Sequence, residues 1–180
     1  MMIQWNRFNL YLLGSLGLAV LCGCRTEESR REKALSTIRI YLEVNPNSTD
    51  NKITVPIYRD KPVMLNVEST PFLTEADVVE AKVVDTVGGF AIGVRLARRG
   101  SWLLEQYTVA NHGRRLAIFS QFASAPDPKL GIGRWLAAPV ISKRISDGYL
   151  LFTPDASRDE AYQIVVGLNN VAKKNKNDQE

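Results

Sequence analysis

Few residues in this chain are of a type that does covalent chemistry. Among 180 residues there are two cysteines, Cys22 and Cys24, and one histidine, His112. A structural zinc site takes four Cys or His ligands, more than the chain holds. Two cysteines two places apart do not make a disulfide scaffold. A Ser-His-Asp triad would have to pass through His112. The pattern predicts a helix over 98–112 with Gly113 just past its end, which puts His112 in the last turn, where the helix dipole favours a cation. That is a helix-end position, not a catalytic one. Glu75, Asp77, Glu80 and Asp85 lie near one another, mostly at surface-like positions. Gly131-Ile-Gly133 leads into Arg134-Trp135 and a strand-like run, whereas a phosphate cradle needs a helix N-terminus behind its glycines. No catalytic residue, cofactor or metal emerges, and the chain is expected to be non-enzymatic.

The cysteines acquire a meaning from their neighbours. Residues 1–9 carry Arg7 and no acid, residues 10–21 are an apolar run, and Arg25 to Lys33 is strongly polar. A basic start, a short apolar stretch and a small-residue exit describe a secretory signal peptide. A spanning helix needs roughly 20 apolar residues, more than this run has. The exit Leu21-Cys22-Gly23-Cys24 resembles the bacterial lipobox. The resemblance implies cleavage after Gly23 and acylation of Cys24, so that residues 1–23 are a lipoprotein signal and Cys24 holds the protein on a bilayer. Cys22 fits less well, because Leu21 would then occupy the small-residue position. Each buried CH₂ of an acyl chain contributes about 0.8 kcal/mol, so two or more chains anchor firmly. Arg25 follows Cys24 in place of an Asp that favours inner-membrane retention, which points to an outer membrane where there is one, with the domain on the extracytoplasmic side. Removing residues 1–23 takes away Arg7 and no acid, so the formal charge falls from +4 to +3. That balance does not suggest a nucleic-acid partner.

Binding is the chemistry left to the remaining residues. Aromatic side chains anchor interfaces, and among Trp102, Tyr107, Phe119, Phe122 and Trp135 the expected candidates for a polypeptide groove are Trp102, Phe122 and Trp135. Basic pairs recur at Arg98-Arg99 and Arg114-Arg115, bracketing one predicted helix, and a face built of all four would meet anionic lipid or an acidic partner.

The elements that must position these residues are of mixed type. Apolar residues are 45% and charged residues 23%, the proportions of a globular domain. Ile38, Ile40, Leu42 and Val44 alternate with polar residues, which predicts a half-buried strand. Ile53, Val55 and Ile57, with Pro56 marking an edge, and Val63, Leu65 and Val67 predict a hairpin. Thr74-Glu-Ala-Asp77 has the form of a capping box before a short helix. Segments 79–85 and 90–96 flank Val87-Gly88-Gly89 as a second hairpin. In the helix over 98–112, Leu103, Tyr107 and Ala110 share a face. A strand over 115–121, a loop over 123–133, and strands over 135–142 and 148–152 follow. Ala161, Ile164, Val165, Leu168 and Val171 form a helical stripe. The predicted organisation is a polar tether over 24–35, one α+β domain over 36–172 and a polar tail over 173–180. Its sheet is mostly antiparallel, with helices on one face.

From Pro71 onward four separated motifs carry a resemblance. They are Pro71-Phe-Leu-Thr-Glu-Ala-Asp77, Gly113-Arg-Arg-Leu-Ala-Ile118, Ala138-Pro-Val-Ile141 with Ile145 and Gly148, and Phe152-Thr153 followed by Glu160-Ala161. In this order and spacing, residues 71–172 resemble the head of the large periplasmic domain of SecD and SecDF, membrane components of bacterial protein export. Arg144 stands where that family usually has Pro, and the loop over 123–133 is longer than its short turn. The resemblance implies the head fold without the membrane half that couples export to ion flow. It also implies binding of exported or unfolded polypeptide, or of a Sec translocon component. The alternative is a structural or assembly lipoprotein of the envelope with no export role.

Overall fold

The computed structural model describes residues 34–47, 51–124 and 127–177, without the side chains of 123–130. The expected signal peptide, Cys24, most of the tether and residues 178–180 lie outside them. Among the described residues nine strands and two α-helices run in the order β1 Ser36–Leu42, β2 Lys52–Ile57, β3 Val63–Glu68, β4 Leu73–Thr74, β5 Val78–Thr86, β6 Gly89–Leu96, α1 Arg98–Ala110, β7 Leu116–Ser124, β8 Asp127–Ala137, β9 Tyr149–Phe152 and α2 Arg158–Asn177. A single 3-10 turn, Glu75–Asp77, joins β4 to β5 where a short helix is predicted. The strands form three antiparallel sheets, β4-β1-β7-β8, β2-β3 and β5-β6-β9. This is an α+β fold.

The two-residue period of β1 and β7 divides the four-stranded sheet into two faces. Ile38, Ile40, Leu116, Ile118 and Phe122 enter the main core, which they share with Ile164 and Leu168 of α2 and with Ile92 and Val94 of β6. Tyr41 and Ala117 face the other way, onto a smaller core closed by Val55, Ile57, Leu65 and Val67 of the β2–β3 hairpin. Helix α2 thus covers one face and the hairpin covers the other. The approach of α2 to β1 is close because Gly167 has no side chain. A Cβ there would run into the Oγ of Ser36 and come within 2.6 Å of its backbone nitrogen.

Three predictions are corrected here. Residues 127–133 are strand, not loop. Strand β8 begins at Asp127 and pairs with β7 from Ser124↔Asp127 to Ile118↔Ala137. Pro and Gly read as breakers, but the glycines have work in this hairpin: a Cβ at Gly133 would lie 2.9 Å from the Phe119 ring. The inward face of α1 is centred on Gly100, Leu104 and Thr108 rather than on Leu103, Tyr107 and Ala110. Thr108 has the polarity of a surface residue, yet its hydroxyl donates to Leu104 O at 2.7 Å and accepts from Ile145 N at 3.1 Å, and so is satisfied inside. Helix α2 also continues through Asn177, so residues 173–177 are helical rather than tail.

Candidate functional site

Both ends of α1 are tied down, which fixes what its outer side presents. At its start, Ala97 has no capping side chain, but its N–H donates to Asp77 O at 2.8 Å. Asp77 is 4% exposed. Its carboxylate accepts from Thr74 N at 3.1 Å and from Arg99 Nη1 at 2.6 Å, satisfying a buried charge. Gly100 lies against Asp77, where a Cβ would approach the Asp77 Cβ to 2.9 Å. At the other end Asn111 Nδ2 donates to Tyr107 O at 3.0 Å, and Gly113 takes the left-handed φ of 85° that a helix C-terminus favours. His112 lies beyond the helix, with Nε2 2.9 Å from Ser142 O. Its partner lies in the segment between β8 and β9, not in the last turn of α1. The Tyr107 ring stacks on Phe72 at 4.0 Å, and burial pushes its hydroxyl pKa up, with the charge of Glu68 adding to the effect.

With Leu104 and Thr108 inward, Trp102, Gln106 and Val109 fall on the opposite side of α1. Trp102 is 57% and Val109 59% exposed. They stand seven positions apart, about two turns or roughly 10 Å along the axis. With Gln106 and Ala110 they line a shallow open surface. The other expected groove residues are elsewhere. Phe122 is 1% exposed, within the main core. Trp135 is half-buried between Tyr41 and Phe119, each with its ring centroid 5.2 Å away. The groove of Trp102, Phe122 and Trp135 is therefore corrected to a surface of Trp102 and Val109. Val109 was legible only once the inward face of α1 was known.

The four basic residues do not form one contiguous cluster either. Arg98 and Arg99 open α1, and Arg114 and Arg115 follow its far end, about 20 Å away at 1.5 Å per residue. Arg99 is committed to Asp77. Arg115 donates its backbone N–H to Glu43 Oε2 at 2.7 Å and its Nη1 to Ala138 O at 3.0 Å, so it serves the fold. Arg98 and Arg114 remain exposed.

A second polar cluster joins β8, the β2–β3 hairpin and the start of α2. Arg134 makes two parallel bonds of 2.9 Å to Glu160, and Ser157 N donates to Glu160 Oε2 at 2.8 Å. The hydrogen bond from Arg134 holds the Glu160 carboxyl below the usual carboxylate range, against the opposing effect of burial. Beside it Arg59 binds Asp155 through its backbone N–H at 2.8 Å and its guanidinium at 3.1 Å. Tyr58 precedes that contact with a φ of 69°, rare for a residue with a side chain. These are bridges between elements. Among the described residues no group of three or more His, Cys, Asp or Glu is disposed to hold a metal ion, and no helix is long and apolar enough to cross a membrane.

The described residues thus form an α+β domain with a helix on one face of its four-stranded sheet, a hairpin on the other and an exposed apolar ridge on α1. The chain belongs to the SecDF P1 head subdomain family, whose model matches residues 52–172. The match begins at β2, so it takes in the β2–β3 hairpin ahead of the stretch from Pro71. The fold is also similar to that of SecDF, described as a membrane component that enhances protein export. That match has a TM-score of 0.52 and 19% identity over 81% of this chain and 67% of that one. A second similar structure is the super-membrane-facing form of SecDF, with a TM-score of 0.53, 19% identity and 81% coverage; this chain spans 20% of its length. Among curated proteins no sequence matches the chain.

Proposed function

We propose that this protein is an envelope lipoprotein, held on a bilayer through acylated Cys24. On that reading its head domain binds exported or unfolded polypeptide, or a Sec translocon component, without catalysing a covalent reaction. The observation that carries this reading is the ridge of α1. Trp102 and Val109 are both more than half exposed on a helix pinned at each end, in a domain of the SecDF P1 head family. Large apolar residues held rigidly in water are suited to capturing apolar segments of another chain, because the ridge needs no ordering before it binds.

Photo-crosslinking tests it. A crosslinking residue at position 102 or 109 is expected to capture a secreted reporter arrested in export, and one at Val87, on the far hairpin tip, is not. Capture of one fixed envelope protein from both α1 positions, and never of the reporter, would instead favour a structural or assembly lipoprotein. Cys24→Ser is expected to release the protein from membranes. Unchanged membrane association would remove the anchor from the reading.

A further inference from the structure

We infer that the outer edge of β9 is a second, backbone-reading site that takes an extended polypeptide strand carrying an apolar and an acidic residue two positions apart. The inference rests on the polypeptide-binding reading above and gives it a place and a mode.

The hydrogen-bond parity of the β5-β6-β9 sheet sets the edge. Leu96 N donates to Gly148 O at 2.9 Å, and the same register pairs Val94 with Leu150 and Ile92 with Phe152. In an antiparallel ladder alternate residues bond inward. Leu150 and Phe152 are therefore spent on β6, and Tyr149 and Leu151 turn their backbone groups outward. Asp147 Oδ1 takes the Tyr149 N–H at 3.1 Å. No described group takes the Tyr149 C=O or either backbone group of Leu151. The opposite edge of the sheet is handled otherwise. There Asn169 of α2 places its side-chain amide against Ala81, accepting from Ala81 N at 2.8 Å and donating to Ala81 O at 2.9 Å. The amide imitates a neighbouring strand. Folded proteins generally cover, charge or shorten such edges because an uncovered one pairs with another chain. Here one edge is covered and the other left open.

The side chains beside the open edge state a preference. Leu151 is 46% exposed on the outer face of the sheet. Tyr149 lies on the same face, its ring laid over Gly93, where a Cβ would collide with the ring. Lys82 Nζ is 5.6 Å and the Arg95 guanidinium 5.5 Å from the centre of that ring. Glu80 stands opposite Arg95 in register, but neither Arg95 nor Lys82 forms an ion pair among the described residues. A strand added to β9 would therefore meet the apolar side chain of Leu151 and the ring of Tyr149, with the positive charges of Arg95 on β6 and Lys82 on β5 lying behind that ring. Side chains two apart share a face, so the complementary segment reads apolar-x-acidic. A second copy of this chain is disfavoured, because its β9 edge carries the same positive charges and no acidic side chain to meet them.

The test uses the full-length protein in detergent micelles. The probe is a fluorescein-labelled heptapeptide, Thr-Glu-Thr-Leu-Thr-Glu-Thr, followed by anisotropy. We expect saturable binding below millimolar concentration. It should weaken at least tenfold when alternate peptide nitrogens are methylated, and at least tenfold when both Glu are replaced by Lys. Leu151→Pro removes the outward N–H without touching the β6 ladder, so it should weaken binding tenfold while leaving the circular dichroism spectrum intact. Should that variant not fold, Lys82→Glu/Arg95→Glu should reverse the preference between the Glu and Lys peptides. Equal binding of the methylated peptide, or no saturation by 5 mM, would overturn the assignment. So would a wild-type dimer that Leu151→Pro dissolves. If the α1 crosslinks to the arrested reporter persist while this probe fails, the edge assignment falls and the polypeptide-binding reading stands.

Discussion

Glu160 is the side chain whose loss should be felt farthest from its own position, because it closes the bridge between β8 and α2. Its carboxylate takes two 2.9 Å bonds from Arg134 and one of 2.8 Å from Ser157 N, while Glu160 N returns a 3.2 Å bond to Ser157 Oγ. The Arg134 and Glu160 side chains are 13% and 19% exposed. Breaking a fully buried ion pair costs about 3–5 kcal/mol. Partial exposure admits water to Arg134, which also keeps Asp155 O at 3.3 Å and the Phe122 ring at 5.5 Å. Glu160→Gln, which keeps the shape and loses the charge, should therefore cost about 2 kcal/mol. Glu160→Ala also loses the capping interaction with Ser157 and should cost about 3 kcal/mol. At roughly 3 °C per kcal/mol for a domain near 150 residues, the midpoints should fall by about 6 and 9 °C.

The pH dependence carries a sign of its own. Because the folded-state pKa of Glu160 is depressed, its stabilisation is present above the unfolded carboxyl value of about 4.3 and is lost as pH falls through the folded value. The gap between wild type and Glu160→Gln, measured by urea unfolding followed by circular dichroism, should be full at pH 7 and shrink on acidification below about pH 4. A double-mutant cycle with Arg134→Met should return most of the loss as coupling energy. A gap under about 0.5 kcal/mol at pH 7, or one that does not change down to pH 3, would refute the reasoning.

Two further substitutions probe the core and the covered edge. Phe122→Ala empties a ring that is 1% exposed and should cost about 3–5 kcal/mol in denaturant unfolding. Trp102→Ala, at a residue 57% exposed, should leave stability within about 0.5 kcal/mol, so equal losses at the two positions would contradict their placement. Asn169→Ala strips both bonds from Ala81 and should cost about 1–3 kcal/mol, with faster hydrogen exchange at the Ala81 amide. Protection of that amide equal to wild type would mean that the Asn169 amide does not guard the edge.

Strands were legible wherever one face is buried and the other wet, because the period of two is then written directly in the residues. The β2–β3 and β5–β6 hairpins follow from alternation and turn residues, including Gly88 with its φ of 85°. The first part of strand β8 reads as loop because Gly131 and Gly133 are chosen to let the Gln121 and Phe119 side chains of β7 lie over the backbone. That reason exists only across the hairpin. The rotation of α1 was missed for a similar cause: Thr108 is buried by a hydrogen bond to Ile145, 37 positions away.

The site shows the same division. Sequence alone marked the lipobox-like segment ending at Cys24, the motifs of the head and Trp102 as an aromatic of interest, since all three are local patterns of residue type and spacing. By counting, it also leaves too few Cys and His in this sequence for a four-ligand structural zinc site or a disulfide scaffold. It could not distinguish Trp102 from Phe122 and Trp135, which are chemically alike, because only packing decides which aromatic enters the core. It could not reveal the open edge of β9 either. A strand carries the same backbone groups whether or not a neighbour takes them, and here Asn169 covers β5 while no described residue covers Leu151. Residue types specified which elements form. Which surfaces they leave uncovered depended on contacts between residues distant in the chain.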